Sequence, residues 1–271
     1  IRNAGPSYAI SGFVISSAVA SNVLIENITI LDSTGQGIRT GIGWTLRKVL
    51  VQGSSGTGIT GTTDVTLEQC IIRSNALSGI GNGISLFDRA RVIDTESTAN
   101  GNSGMALGAN SIVRDVRASN NSGIGLTMLG GGATVERVTA SSNGLDGIYV
   151  STGSARILDC VTVANGSHGM STSDDVVISG CVSTDNGMIG IQAGNTATIQ
   201  SSMAARNGSG GIAALLVGSI TDCVADENGV PNTNAYGFSV TGWVTLKNNV
   251  SVRNQGDGIK VCGSQCAIDE N

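Results

Sequence analysis

A unit of 21 or 22 residues recurs along the whole chain, and this constrains the fold more than any other property. Its mark is a Gly followed by an apolar residue, at Gly12, Gly37, Gly58, Gly83, Gly104, Gly125, Gly147, Gly169, Gly190, Gly211, Gly237 and Gly258. The marks are 21 or 22 residues apart except at three steps of 25 or 26. Nine Asn residues precede them: Asn75, Asn100, Asn121, Asn143, Asn165, Asn186, Asn207, Asn228 and Asn254. In seven units the Gly follows four residues after the Asn; short insertions follow Asn75 and Asn228. A fixed period in the twenties is the signature of a solenoid.

Numbering from the Asn as zero separates inward from outward positions. Eight residues earlier every residue is aliphatic, as at Leu67, Val92, Val113, Val135, Ile157 and Ile178. Five earlier come Cys70, Thr95, Val116, Val138, Cys160, Cys181, Ser202 and Cys223, and three earlier small or aliphatic residues such as Ile72, Ala118 and Ala140. Alternation by two reads as strand. The odd step from minus eight to minus five requires a bend. Each coil is therefore three short strands, near minus ten to minus seven, minus five to minus two and plus four to plus eight. The fold expected is all-β: a single-stranded right-handed parallel β-helix of about 11–12 coils and ~55 Å, at ~4.8 Å per coil.

The Asn row has a physical reason to exist. A buried turn leaves backbone groups that must be paired. Asn tolerates the αL conformation and carries both a donor and an acceptor, so stacked amides form an internal ladder. A row of identical polar residues inside a core is a register-setting spine rather than a binding stripe.

On these repeats and this ladder the chain resembles the pectate-lyase-like right-handed β-helix superfamily, over nearly its whole length. The resemblance implies the fold. It leaves open a range of roles that includes lyases, polygalacturonases, epimerases, phage tailspikes and adhesins, and function must come from a site.

Composition narrows the classes. The repeat fills residues 1–271, so one elongated domain is expected, starting and stopping in mid-coil, either as a segment of a longer protein or with ends that stack on other chains. With 40 Gly but 40% hydrophobic residues spaced for a core, the chain is not low-complexity disorder. A net charge of −5 argues against a nucleic-acid partner. No apolar run reaches the ~20 residues of a membrane span.

Polygalacturonase-like enzymes order their motifs as Asp-Asp, Gly-His-Gly and Arg-Ile-Lys. Here His168, the one His, precedes Asp174-Asp175, and Lys260 has no Arg partner, so that match is rejected. Pectate-lyase-like sites hold Ca²⁺ on Asp carboxylates beside an Arg that abstracts a proton. The corresponding candidates are Asp94, Asp115, Arg137 and Asp159 at minus six, with Glu96 and Arg117 at minus four. Asp94 and Asp115, one coil apart, are the candidate Ca²⁺ ligands. A surface ladder of opposite charges explains the same residues. Turns after the third strand are short, so no walls enclose a substrate, and Tyr149, Tyr236, Trp44 and Trp243 are the aromatics able to stack on sugars.

Cys70, Cys160, Cys181 and Cys223 fall on an inward row; Cys160 and Cys181 are on neighbouring coils, where a disulfide is geometrically allowed. Cys262 and Cys266 form a close pair expected to staple the last coil, which would require an oxidising compartment. At minus four, Val161, Val182, Met203, Val224 and Val250 predict an exposed apolar stripe suited to self-association. The sequence therefore favours a non-catalytic extracellular or cell-surface rod with a structural, adhesive or polysaccharide-binding role. The alternative is a polysaccharide lyase or hydrolase with a reduced site around Asp94, Asp115 and Arg137.

Overall fold

The computed structural model describes residues 8–11, 14–15, 18–19, 21–79, 81–229, 235–263 and 265–271, with side chains from residue 21 onward. All helices and strands among them are strands, and the three-strand coil is as the repeat predicts. In one coil these are Thr134–Glu136, Thr139–Ser141 and Ile148–Val150. The second strands stack into one parallel sheet of eleven, from Thr29–Leu31 to Val250–Val252, and the first and third strands form the remaining walls. Equivalent residues pair coil to coil, as in Val113↔Val135↔Ile157↔Ile178↔Ile199. The minus-eight aliphatics line the interior and are buried from Leu46 to Leu246. Each such side chain contributes about 1.5–3 kcal/mol.

The ladder forms as expected. From Asn100 to Asn254 each Oδ1 accepts from the N–H and the amide of the Asn one coil earlier, as Asn165 does from Asn143 at 3.1 and 2.9 Å, and Asn75 Oδ1 starts the row on the Ser54 N–H at 3.0 Å. Asn165 Nδ2 donates onward to Asn186 Oδ1 at 2.9 Å and inward to Ala140 O at 3.0 Å. The αL residue, however, is the one immediately before the Asn, with φ from 51° at Arg253 to 58° at Asp185. The Asn is thus placed by its hydrogen bonds, and its neighbour makes the turn.

A second, partial ladder runs along the minus-five row. Cys223 N donates to Asn249 Oδ1 at 3.0 Å, and Asn249 N to Asn271 Oδ1 at 2.8 Å. Earlier rungs use hydroxyls, with Cys70 N on Thr95 Oγ1 at 3.3 Å and Cys181 N on Ser202 Oγ at 3.2 Å. The four Cys thiols of this row reach backbone carbonyls, Cys70 Sγ to Leu46 O at 3.4 Å for example. They are therefore weak donors in a polar seam as well as small fillers.

Three expectations change. Of the aromatics expected to be able to stack on sugars, Trp44 is core, at 4% exposed, whereas Trp243 is 64% exposed. Val244, not Trp243, occupies the inward place of Trp44, and a one-residue slip in a period of two reverses the face. Cys262 and Cys266 are separate thiols, the first exposed and the second turned inward with Sγ 3.1 Å from Val244 O, so they form no staple here. In two late coils, Gly210–Thr221 and Tyr236–Lys247, the third strand runs into the next first strand without a separate turn. The insertion after Asn228 and the mark at Gly12 lie largely outside the described residues.

Candidate functional site

Position minus six is the corner between first and second strands, and each coil turns there through an αL residue. Asp94, Asp115, Arg137 and Asp159 occupy it with φ of 47, 55, 50 and 53°. Asp tolerates αL better than most residues. A local reason therefore exists for three of the four residues that read as a ligand row. Their backbone N–H groups bond the next coil, Asp115 N to Glu136 O at 3.1 Å, and all four side chains are exposed.

The structure brings Asp94, Glu96, Asp115, Arg117 and Arg137 around one open groove of about 670 Å³, with Ile71 and Thr139 beside them. Asp159 is not among its lining residues; its Oδ1 lies against Gly180, where a Cβ would collide with it. Asp115 is committed to Arg137, which binds both its oxygens, Nε–Oδ1 at 2.6 Å and Nη2–Oδ2 at 2.8 Å. Arg137 also bonds Glu136, whose other oxygen takes Arg114 Nε at 2.7 Å. Arg117 Nε reaches Ser119 Oγ at 3.3 Å.

These contacts set the ionisation of the site. The hydrogen bond from Arg137 holds the Asp115 carboxyl below the ordinary carboxylate range. Partial desolvation pushes Glu136 up, but the hydrogen bonds from Arg114 and Arg137 outweigh it and the net shift is down. The same partners, Asp115 foremost, raise Arg137 above an ordinary guanidinium. An Arg base must give up its proton, and this environment opposes that. Among the described residues no three of Asp, Glu, His and Cys gather as metal ligands. Holding a hard cation at Asp94 and Asp115 would require Asp115 to release Arg137.

The rejected motif residues have structural work. The His168 N–H donates to Asp146 Oδ1 at 2.9 Å, and its Nδ1 accepts from Ile189 N at 3.3 Å. Asp174 Oδ1 caps Asn195 N at 2.8 Å. Of the aromatics, Trp44 is core, Tyr236 lies over Gly210, and Tyr149 is half-buried on the third-strand face. Among the described residues, the exposed aromatic besides Trp243 is Phe87, at 66%, which the sequence analysis passed over. The signal was present: Leu86 is inward, so the next residue must point out. The late-coil stripe holds register, with Val161↔Val182↔Met203↔Val224↔Val250 all half-buried or exposed on one face.

A family model described as "Right handed beta helix region" matches residues 55–174 and 122–271. The chain belongs to the right-handed β-helix family. No curated protein sequence matches it significantly. Among solved structures it is similar to the A-module of the mannuronan C-5 epimerase AlgE4 of Azotobacter vinelandii, with TM-score 0.69 and 15% identity over 90% of this chain and 80% of that one. It is similar to pectate lyase Pel9A, with TM-score 0.55 and 15% identity over 85% and 70% of the two chains. It is also similar to the Dettilon tailspike protein, with TM-score 0.56 and 13% identity over 90% and 60%. Likeness at such identity is a likeness of fold. Among the described residues no helix is long and apolar enough to cross a membrane.

Proposed function

We propose that this β-helix is a non-catalytic rod that binds polysaccharide, displayed in an extracellular or cell-surface setting. The observation that carries the non-catalytic part is the bidentate Arg137–Asp115 pair. It occupies Arg137, the Arg at the same corner position as Asp94 and Asp115, together with a carboxylate that a cation would need, and the corner is an open groove that does not exclude water. The polysaccharide part is supported by structural neighbours that include a mannuronan epimerase and a pectate lyase, and by long outward rows at one residue per coil. Self-association through the stripe at Val161, Val182, Met203, Val224 and Val250 is a further part of the proposal, because exposed apolar stripes mark partner surfaces.

Three measurements test it. The protein should be retarded in native gels containing acidic polysaccharide, yet produce no ultraviolet-absorbing unsaturated ends from uronate polymers with or without Ca²⁺. Product formation that disappears in Arg137→Ala or Asp115→Ala would establish the lyase reading instead, with Ca²⁺ at Asp94 and Asp115. Concentration-dependent light scattering should fall in Val182→Asp; a strict monomer at all concentrations removes the self-association.

A further inference from the structure

Six of the nine ladder Asn residues are followed directly by Gly: Asn100, Asn143, Asn165, Asn186, Asn207 and Asn228. The geometry explains the pairing. Successive coils touch backbone to backbone just after the ladder, and a Cβ at Gly166, Gly187 or Gly208 would overlap the carbonyl oxygen of Gly144, Gly166 or Gly187 one coil earlier. The Asn is fixed by its hydrogen bonds and the Gly by this contact, so the fold itself places the two residues side by side.

The same dipeptide is prone to react with itself. Gly has no side chain to hinder the approach of its backbone nitrogen to the Asn Cγ, and in a free chain it turns readily into the conformation that brings the two together. The nitrogen gives its proton to water or hydroxide and bonds to Cγ, Nδ2 leaves as ammonia, and a cyclic imide remains. Water then opens one of the two imide C–N bonds, leaving either Asp or isoaspartate, which carries an extra main-chain carbon. One water is consumed and one ammonia is released, with no oxidation or reduction.

The folded coil withholds both reacting groups. Each of the six Gly N–H groups donates to the backbone carbonyl of the Asn one coil earlier, as Gly166 N does to Asn143 O and Gly187 N to Asn165 O, both at 2.8 Å. The six Asn residues are at most 2% exposed, and each amide nitrogen is tied to the next rung. The product does not fit the place of the Asn. An Asp at 165 has no Nδ2 to donate to Ala140 O and Asn186 Oδ1, and it sets a carboxylate against both acceptors inside the core. Isoaspartate also lengthens the main chain within one coil and so breaks the coil-to-coil register.

We propose that the six Asn–Gly rungs are latent deamidation sites, silent in the closed coil and reactive in any coil that opens. Time spent open is then recorded as a permanent loss of ladder donors, and the rod does not re-form. The spine that fixes the rod thereby makes its unfolding irreversible.

Site-resolved mass spectrometry of the full chain tests it, comparing native protein with protein held in guanidinium at the same temperature and mildly alkaline pH. In guanidinium the six should deamidate together, at the rate of Asn82-Gly83 outside the ladder. They should run well ahead of Asn75, Asn121 and Asn254, which are followed by Ala, Ser and Gln. In the native protein the six should react at least about a thousandfold more slowly, because only the opened fraction is competent. Refolding yield on dilution, read by circular dichroism, should fall in step with the deamidated fraction. Protein held unfolded for the same time at mildly acidic pH, where the Gly nitrogen keeps its proton, should keep its yield. Rates at the six sites as fast in native protein as in guanidinium overturn the protection. Equal loss of yield in the acidic and alkaline arms overturns deamidation as its cause. Asn165→Asp, the product made directly, should lower the urea midpoint at least as far as Asn165→Ala; an unshifted midpoint overturns the exclusion of the product from the ladder.

Discussion

Removing one rung of the Asn ladder offers a sharp test of what fixes this rod. Asn165 is 2% exposed and makes four side-chain hydrogen bonds: two accepted from Asn143, and two donated to Ala140 O and Asn186 Oδ1. In Asn165→Ala the Asn143 N–H loses its partner within the core, while Asn143 Nδ2 keeps Ala118 O and Asn186 Oδ1 keeps Asn165 N. An orphaned buried donor costs about 1–3 kcal/mol, and the other lost bonds about 0.5–1.5 kcal/mol each. With three other bonds lost, the sum is about 2.5–7.5 kcal/mol. Asn254 makes the equivalent bonds, to Asn228, Ala225 and Ser251, but is only partly buried, so water replaces some of them. Asn254→Ala should cost about 1 kcal/mol. Urea unfolding followed by far-ultraviolet circular dichroism measures both. Equal losses in the two variants, or a loss under about 1 kcal/mol at Asn165, would refute the spine argument.

Three further outcomes follow from the same structure. Asp115 and Glu136, with Asp64 beside Arg89 and Asp185 beside Arg206, all titrate below their ordinary range. Their pairing therefore contributes stability above the unfolded carboxylate pKa, near ~4, and that contribution fades as pH falls through the lower folded values. Thermal midpoints should be flat from pH 7 to about 5 and fall below ~4; a rise in acid would contradict the pairing. Gly169→Ala should destabilise by about 1–3 kcal/mol, since a Cβ there would overlap Ser183 Oγ and come within 2.6 Å of Gly190 O. A normal urea midpoint would show that the coil tolerates the added atom. Thiol titration of the reduced native protein should find Cys262 and Cys266 and miss Cys70, Cys160, Cys181 and Cys223. Burial pushes Cys223 up to about 11, and a hydrogen bond to Cys181 together with burial holds Cys160 protonated. Rapid reaction of the buried four would mean the coils open locally.

The repeat made the fold legible because a solenoid writes its register into a single period, so rows such as Val92, Val113 and Val135 could be aligned by counting. The ladder was legible for the same reason. What escaped were features that depend on one residue of phase or on backbone torsion. Trp243 reads like Trp44 until the strands are paired, and then falls on the opposite face. Asn249 and Asn271 continue a row whose earlier members are Cys, Thr and Ser, so residue identity did not reveal a second ladder. The corner carboxylates Asp94, Asp115 and Asp159 look like ligands in a sequence because Asp serves αL turns and cations alike. Only the geometry of Arg137 shows where Asp115 is committed. Phe87 belongs to no motif, and its exposure is readable only from its place one residue after the inward Leu86.

The central claim, a rod that holds polysaccharide without changing it, is tested most directly by following a uronate polymer by proton NMR during long incubation with the protein and Ca²⁺. The account predicts broadened polymer resonances with every linkage, reducing end and C-5 configuration preserved. New unsaturated ends, new reducing ends or inverted C-5 signals, lost in Arg137→Ala, would contradict it.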